Sequence, residues 1–159
     1  MQTSKRSVIG LVAIAVAATL IMPAIAQAAT IYVNSGVSGA RLGMKDTTAA
    51  KKLGKVMKKE KDPNYEDTTW VLSFGKKVKG NYALYVYSDG HHKVFAFDVF
   101  SKSYKTKKKI HVGSTTSALK KAYKSLKKGY EGYYISGAHG RTLFTISKGK
   151  ITHISVWSL

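Results

Sequence analysis

Residues 85–99 read YVYSDGHHKVFAFDV, and residues 144–156 read FTISKGKITHISV. Each segment alternates side-chain character through a run rich in β-branched and aromatic residues, breaks at a glycine-bearing turn, and alternates again. That is the signature of a half-buried antiparallel hairpin, because successive side chains of a strand point to opposite faces. Asp89-Gly90 and Lys148-Gly149 supply the residue that tight hairpin turns need for positive φ. Working outward, residues 69–74 and 82–88 lead to the return strand 93–101, with a looser lysine-bearing turn at 75–80. Residues 133–136 and 142–147 lead in the same way to 151–157.

Each set of strands follows a stretch with helical signals. Leu42-Gly43-Met44-Lys45-Asp46 leads into Ala49, Ala50, Leu53, Val56 and Met57, and Val112-Gly113-Ser114-Thr115 leads into Ala118, Leu119, Ala122 and Leu126. The apolar residues recur at helical spacing, with lysines on the other side. Asp46 and Ser114 or Thr115 stand where a cap accepts from otherwise unpaired amides of the first turn. Gly54 interrupts the first helix. The expected fold is α+β: two similar units of one helix plus a three-stranded antiparallel meander, with the helices packed on one face of the sheet. Unit one covers about residues 40–101, a linker 102–109, and unit two 110–158. A short opening strand at 31–33 joins an edge.

The pattern carried by Leu42-Gly43-Met44-Lys45-Asp46-Thr47 with Leu53-Gly54, and again by Val112-Gly113-Ser114-Thr115 with Ala122-Tyr123, resembles the β-lactamase-inhibitor-protein-like fold. Single-unit relatives of that fold include small lipoproteins of outer-membrane assembly. The resemblance implies a sheet face that grips another protein. It transfers no inhibitory residue, since the motif encodes a turn and a cap. The chain also departs from the pattern: with no cysteine it has neither the disulfides of the inhibitors nor the lipid-bearing residue of the lipoproteins.

Composition narrows the function. The 159 residues hold 27 Lys plus Arg against 8 Asp plus Glu, a formal net charge of +19, and 44% are hydrophobic, too many for a disordered chain. Lys5 and Arg6, the apolar run 8–22, Pro23 and the exit Ala26-Gln27-Ala28 form a signal peptide over 1–28, leaving one mature domain at 29–159. The expected location is secreted or cell-envelope associated, with no membrane span after cleavage. Only Arg41 and Arg141 of that domain are arginines. Lysine lacks the planar fork that reads bases, so sequence-specific nucleic-acid binding is disfavoured.

If the helices cover one side of a continuous sheet, Leu84, Val86, Phe95, Phe97, Val99, Phe144, Ile146, Ile154 and Val156 turn toward them as core. Tyr85, Tyr87, Phe100, His153 and Trp157, with Ala96, Asp98 and Ser155, then share the other side. An uncovered aromatic patch of this kind marks an interaction site. The expected function is a secreted, non-enzymatic, monomeric binding module that engages an extracellular protein partner through this face, as an inhibitor of a hydrolase would. An alternative is a binder of anionic cell-surface or extracellular polymers, using Lys105, Lys107, Lys108, Lys109, Lys120, Lys121 and Lys124 as a basic band. A second alternative is a small secreted ribonuclease-like hydrolase, with Glu131 as base, His139 or His153 as acid, and Arg141 or lysines stabilising phosphate charge. No metal or cofactor is expected, because no His-x-x-x-His or His-Glu-x-x-His spacing and no phosphate loop occurs.

Overall fold

A computed structural model describes residues 29–62 and 68–159. The signal peptide expected at 1–28 lies outside the described residues. The elements in order are β1 (Thr30–Tyr32), β2 (Gly36–Val37), β3 (Ala40–Arg41), α1 (Asp46–Leu53), β4 (Val56–Lys61), β5 (Trp70–Val78), β6 (Asn81–Ser88), β7 (Val94–Val99), β8 (Lys105–Thr106), α2 (Thr116–Ala122), β9 (Lys127–Lys128), β10 (Gly132–Gly137), β11 (Gly140–Ser147) and β12 (Lys150–Trp157). They form a small sheet, β3-β2-β1-β8, and a large one, β4-β5-β6-β7-β12-β11-β10-β9.

This overturns the α+β expectation. The protein is mostly β, with strands over 52% of the described residues and helix over 12%. Two helix-plus-meander units do not form. Four strands of the large sheet follow each helix, β7 pairs with β12 to make one continuous sheet, and a second sheet helps the short helices cover it. The difference begins at Gly54, whose φ of +94° ends α1, so that the lysine-rich segment read as helix continues as β4. Likewise α2 stops at Ala122, because Tyr123 is already extended, and Leu126 lies beyond it. The opening strand pairs with β2 and β8 in the small sheet and joins no edge of the large one.

The core lies between the layers. Rows of cross-strand neighbours, Phe74-Leu84-Val99-Ile154-Phe144 and Leu72-Val86-Phe97-Val156, run across the large sheet on one face. Ile31, Val37 and Ala40 of the small sheet, Ala49 of α1 and Leu119 of α2 join them in one buried cluster. The helices are held to the large sheet by matching backbone bonds. Gly43 N–H donates to Val94 O and Val94 N–H to Met44 O; Gly113 N–H donates to Ile151 O and Ile151 N–H to Ser114 O. Thr115 caps α2 by accepting from Ala118 N–H at 3.1 Å. Asp46 is not the N-cap: it is the first residue of α1, behind an N-cap at Lys45 that makes no side-chain cap bond.

One core assignment is reversed. Tyr87 pairs with Ala96 and Ser88 with Val94, so Phe95 is the extra residue of a β-bulge. Two neighbouring bulge residues take the place of one. The alternation slips there: Val94 is buried in the core, and Phe95 joins Ala96 on the opposite face, in ring contact with Tyr87.

Candidate aromatic binding face

On the face of the large sheet away from the helices, the rows are Ser73-Tyr85-Asp98-Ser155-Leu143 and Val71-Tyr87-Ala96-Trp157-Arg141. The helices and the small sheet pack on the other face; here Val71 and Ser73 are buried and the remaining residues of the two rows are half-buried. Tyr85 lies at the centre, with Phe100 edge-on at 5.8 Å between centroids, Tyr82 edge-on at 5.9 Å and Tyr87 at 6.5 Å. Tyr87 passes the chain of rings to Phe95 at 6.2 Å, and Phe100 passes it to His153, stacked at 5.2 Å. Edge-on and offset geometries are those that aromatic quadrupoles favour. All six rings are half-buried.

The polar groups hold these rings in place. Ser155 Oγ donates to Asp98 Oδ1. Burial, and the Asp98 carboxylate beside it, push the Tyr87 hydroxyl far above its ordinary range, so it stays protonated and donates to Asp98. Tyr82 N–H donates to the Tyr85 hydroxyl at 3.1 Å, and His153 Nε2 stands 3.3 Å from Thr145 Oγ1. A cleft of about 570 Å³ opens beside this group, lined by Tyr87, Phe95, Asp98, Ser155, Trp157 and Asp62.

Of the five residues expected at a partner-binding face, Tyr85, Tyr87, Phe100 and His153 form one ring network. Trp157 lies on the same face across the cleft, with the Arg141 guanidinium 5.9 Å from its ring. Three contributors escaped sequence reasoning. Phe95 was hidden by the bulge and Tyr82 by the irregular pairing after Phe74. Arg141, which also covers Tyr134 at 4.7 Å, stands directly opposite Trp157, a position that pairing the last two strands would have revealed.

The lysines expected in a basic band are all exposed. Lys108 Nζ donates to Ala122 O at 2.7 Å, tying the segment after β7 to the end of α2, and sits 4.9 Å over Tyr123. Lys107 stands 5.9 Å over Tyr32, whose ring also carries Arg41 at 3.9 Å. Lys107, Lys108, Tyr32 and Tyr123 border a groove of about 360 Å³. Lys105 lies in β8, Lys109 just after it, Lys120 over Tyr133 at 4.9 Å, and Lys121 and Lys124 at the end of α2.

Of the residues of the hydrolase alternative, Glu131 and His153 lie at the same end of the large sheet with β11 between them, while Glu131 is far from His139 and Arg141. Glu131 precedes β10, whereas His139 occupies the turn at its far end, about 20 Å away at the rise of an extended strand. Arg141 is engaged by Ser136 Oγ at 3.1 Å at that same far end. Among the described residues no three His, Cys, Asp or Glu side chains cluster as metal ligands, and no helix is long and apolar enough to cross a membrane.

No protein-family model matches the chain, and no curated protein matches it. Among solved structures, the chain is similar to the uncharacterized protein yfeY from Escherichia coli, with 14% identity over 80% of this chain and 95% of that one and a TM-score of 0.46.

Proposed function

We propose that the chain is a non-enzymatic binding module that holds an extracellular protein partner on the aromatic face of its large sheet. The observation that supports this reading is the half-buried network of six mutually contacting rings, with Trp157 and Arg141 beside it. Tyr, Trp and Arg are the residues that dominate interface energetics, and rings already locked by their neighbours lose little conformational freedom on binding. The leader at 1–28 would deliver the module outside the cytoplasm. A hydrolase as the partner is the finer form of this proposal, and it rests on the resemblance alone.

The basic groove at Lys107, Lys108, Tyr32 and Tyr123 favours a second reading, attraction to an anionic polymer. Salt separates the two. A polymer complex releases counterions and weakens steeply with ionic strength, while an interface anchored by buried rings chiefly loses association rate. The test is recovery of partners from culture medium and envelope fractions at two salt concentrations, using the wild type, Tyr87→Ala/Trp157→Ala, and Lys107→Gln/Lys108→Gln. The aromatic face predicts salt-tolerant recovery that the first variant loses and the second keeps. Equal recovery by the first variant, with a native circular dichroism spectrum, would remove this face from consideration.

A further inference from the structure

We propose that the notch left where β7 ends is a binding site for a phosphoryl group. β7 stops at Val99, opposite Leu84 on one side and Ile154 on the other. Its two neighbours run on, β6 back to Asn81 and β12 back to Lys150. The chain turns away after Phe100, and a cavity of about 480 Å³ remains between the tips of the β5–β6 and β11–β12 hairpins.

The walls of this cavity are cationic. Lys79, Lys148, Lys150 and His153 line it with Asn81 and Thr152, and no carboxylate does. None of the three lysines makes an ion pair among the described residues. Val112, Ile151 and the Phe100 ring supply an apolar floor. Three ammonium groups with hydroxyl and amide donors act as point charges that a tetrahedral oxyanion satisfies from several directions. Planar carboxylate recognition is the work of guanidinium forks, and the notch holds no arginine.

The two turns give an independent indication. Both are two-residue hairpin loops with positive φ at each central position: Lys79 at +50° and Gly80 at +89°, Lys148 at +48° and Gly149 at +73°. Such turns favour Asn, Asp or Gly at the first position. Lysine there carries a backbone cost, as it also does at Lys109, φ +62°, outside the notch. Both tips make the same unfavourable choice, and both project into the same cavity. Residues held in unfavourable backbone regions gather at ligand clamps.

The test is an amide NMR titration of the full chain with inorganic phosphate and, separately, with a soluble poly(glycerol phosphate), at ionic strength held constant with chloride. Saturable shifts confined to residues 79–81, 112–113 and 147–153 are expected with at least one probe. The pair distinguishes a free phosphate from a polymer-borne one. Lys79→Asn/Lys148→Asn/Lys150→Gln should weaken binding at least about tenfold. Because Asn suits both turns, that variant should melt no lower than the wild type. Lys51→Gln/Lys55→Gln/Lys128→Gln, which removes the same charge from exposed lysines outside both the notch and the basic groove, should bind as the wild type does. Shifts that never saturate, or that centre on residues 105–124, overturn the proposal. So does wild-type affinity in the notch variant; if that variant failed to fold, the wild-type shift map would still decide.

Discussion

Asp46 should hold α1 to the large sheet through charge, and replacing it with Asn measures how strongly. Its side chain is 1% exposed, with Oδ2 3.0 Å from His92 Nδ1 and 3.5 Å from Lys59 Nζ. Removing one member of a fully buried ion pair costs about 3–5 kcal/mol, because the partner is stranded. Here the partner side chains are 49% and 42% exposed and return to water. The loss is then that of a hydrogen bond to a charged group, about 1.5–3 kcal/mol. At about 3–5 °C per kcal/mol for a domain of this length, the melting temperature of Asp46→Asn falls by roughly 5–15 °C at pH 7. The pH dependence carries a sign. Burial pushes the Asp46 carboxyl up, but the His92 hydrogen bond and the Lys59 charge outweigh it and hold the carboxyl below its ordinary value. A depressed carboxyl contributes stability that is complete above the unfolded value, about 3.9, and is lost as pH falls through the folded one. Urea unfolding followed by circular dichroism at pH 7, 5 and 3 should therefore show wild type and variant separated at pH 7 and 5 and approaching one another at pH 3. A gap of constant size across that range, or none at pH 7, would refute the electrostatic account.

Two further outcomes concern the large sheet. Gly75 has φ +73° in the irregular pairing after Phe74, and a Cβ there would stand 2.9 Å from that of Ala83. Gly75→Ala should cost about 1–2 kcal/mol of backbone energy plus a clash, and adding Ala83→Gly should recover the clash alone, as a double-mutant cycle in urea would show. Ser73 is fully buried and its Oγ has no partner among the described residues; Ser73→Ala should leave the melting temperature unchanged or raise it, and a loss above about 1 kcal/mol would mean that the hydroxyl is satisfied after all.

The strands that bury one full face were legible because their period is strict. Leu84, Val86, Phe97, Val99, Phe144, Ile154 and Val156 all point where alternation placed them. Strands without that contrast were not. β4 carries Lys58, Lys59, Glu60 and Lys61 at the sheet edge, where charge on both faces blunts pairing with another chain and also erases the apolar alternation. It therefore read as the continuation of a helix. β9 and β8 are two residues each, too short for any period. The aromatic face was legible for the same reason as the core, being its complement, except at Tyr82, Arg141 and Phe95, the last of these at a bulge. The bulge shifts the phase by one residue, and nothing local to the sequence announces it. The notch was invisible, since it arises from β7 being shorter than the strands on either side.

The strand that sits beside β7 in the middle of the large sheet is β12, which follows every other element in sequence. Residues 96–99 wait for residues 154–157, and until these arrive each half of the sheet ends in an unpaired edge. Closure of such a seam between distant segments is slow, because the entropy of the intervening loop is lost before any contact forms. The aromatic face spans that seam, with Tyr85 and Tyr87 before it and His153 and Trp157 after it. A chain interrupted anywhere short of its final strand would lack His153 and Trp157 and would leave the rings from Tyr82 to Phe100 beside an unpaired edge. The aromatic face is thus completed only when the last strand pairs with β7.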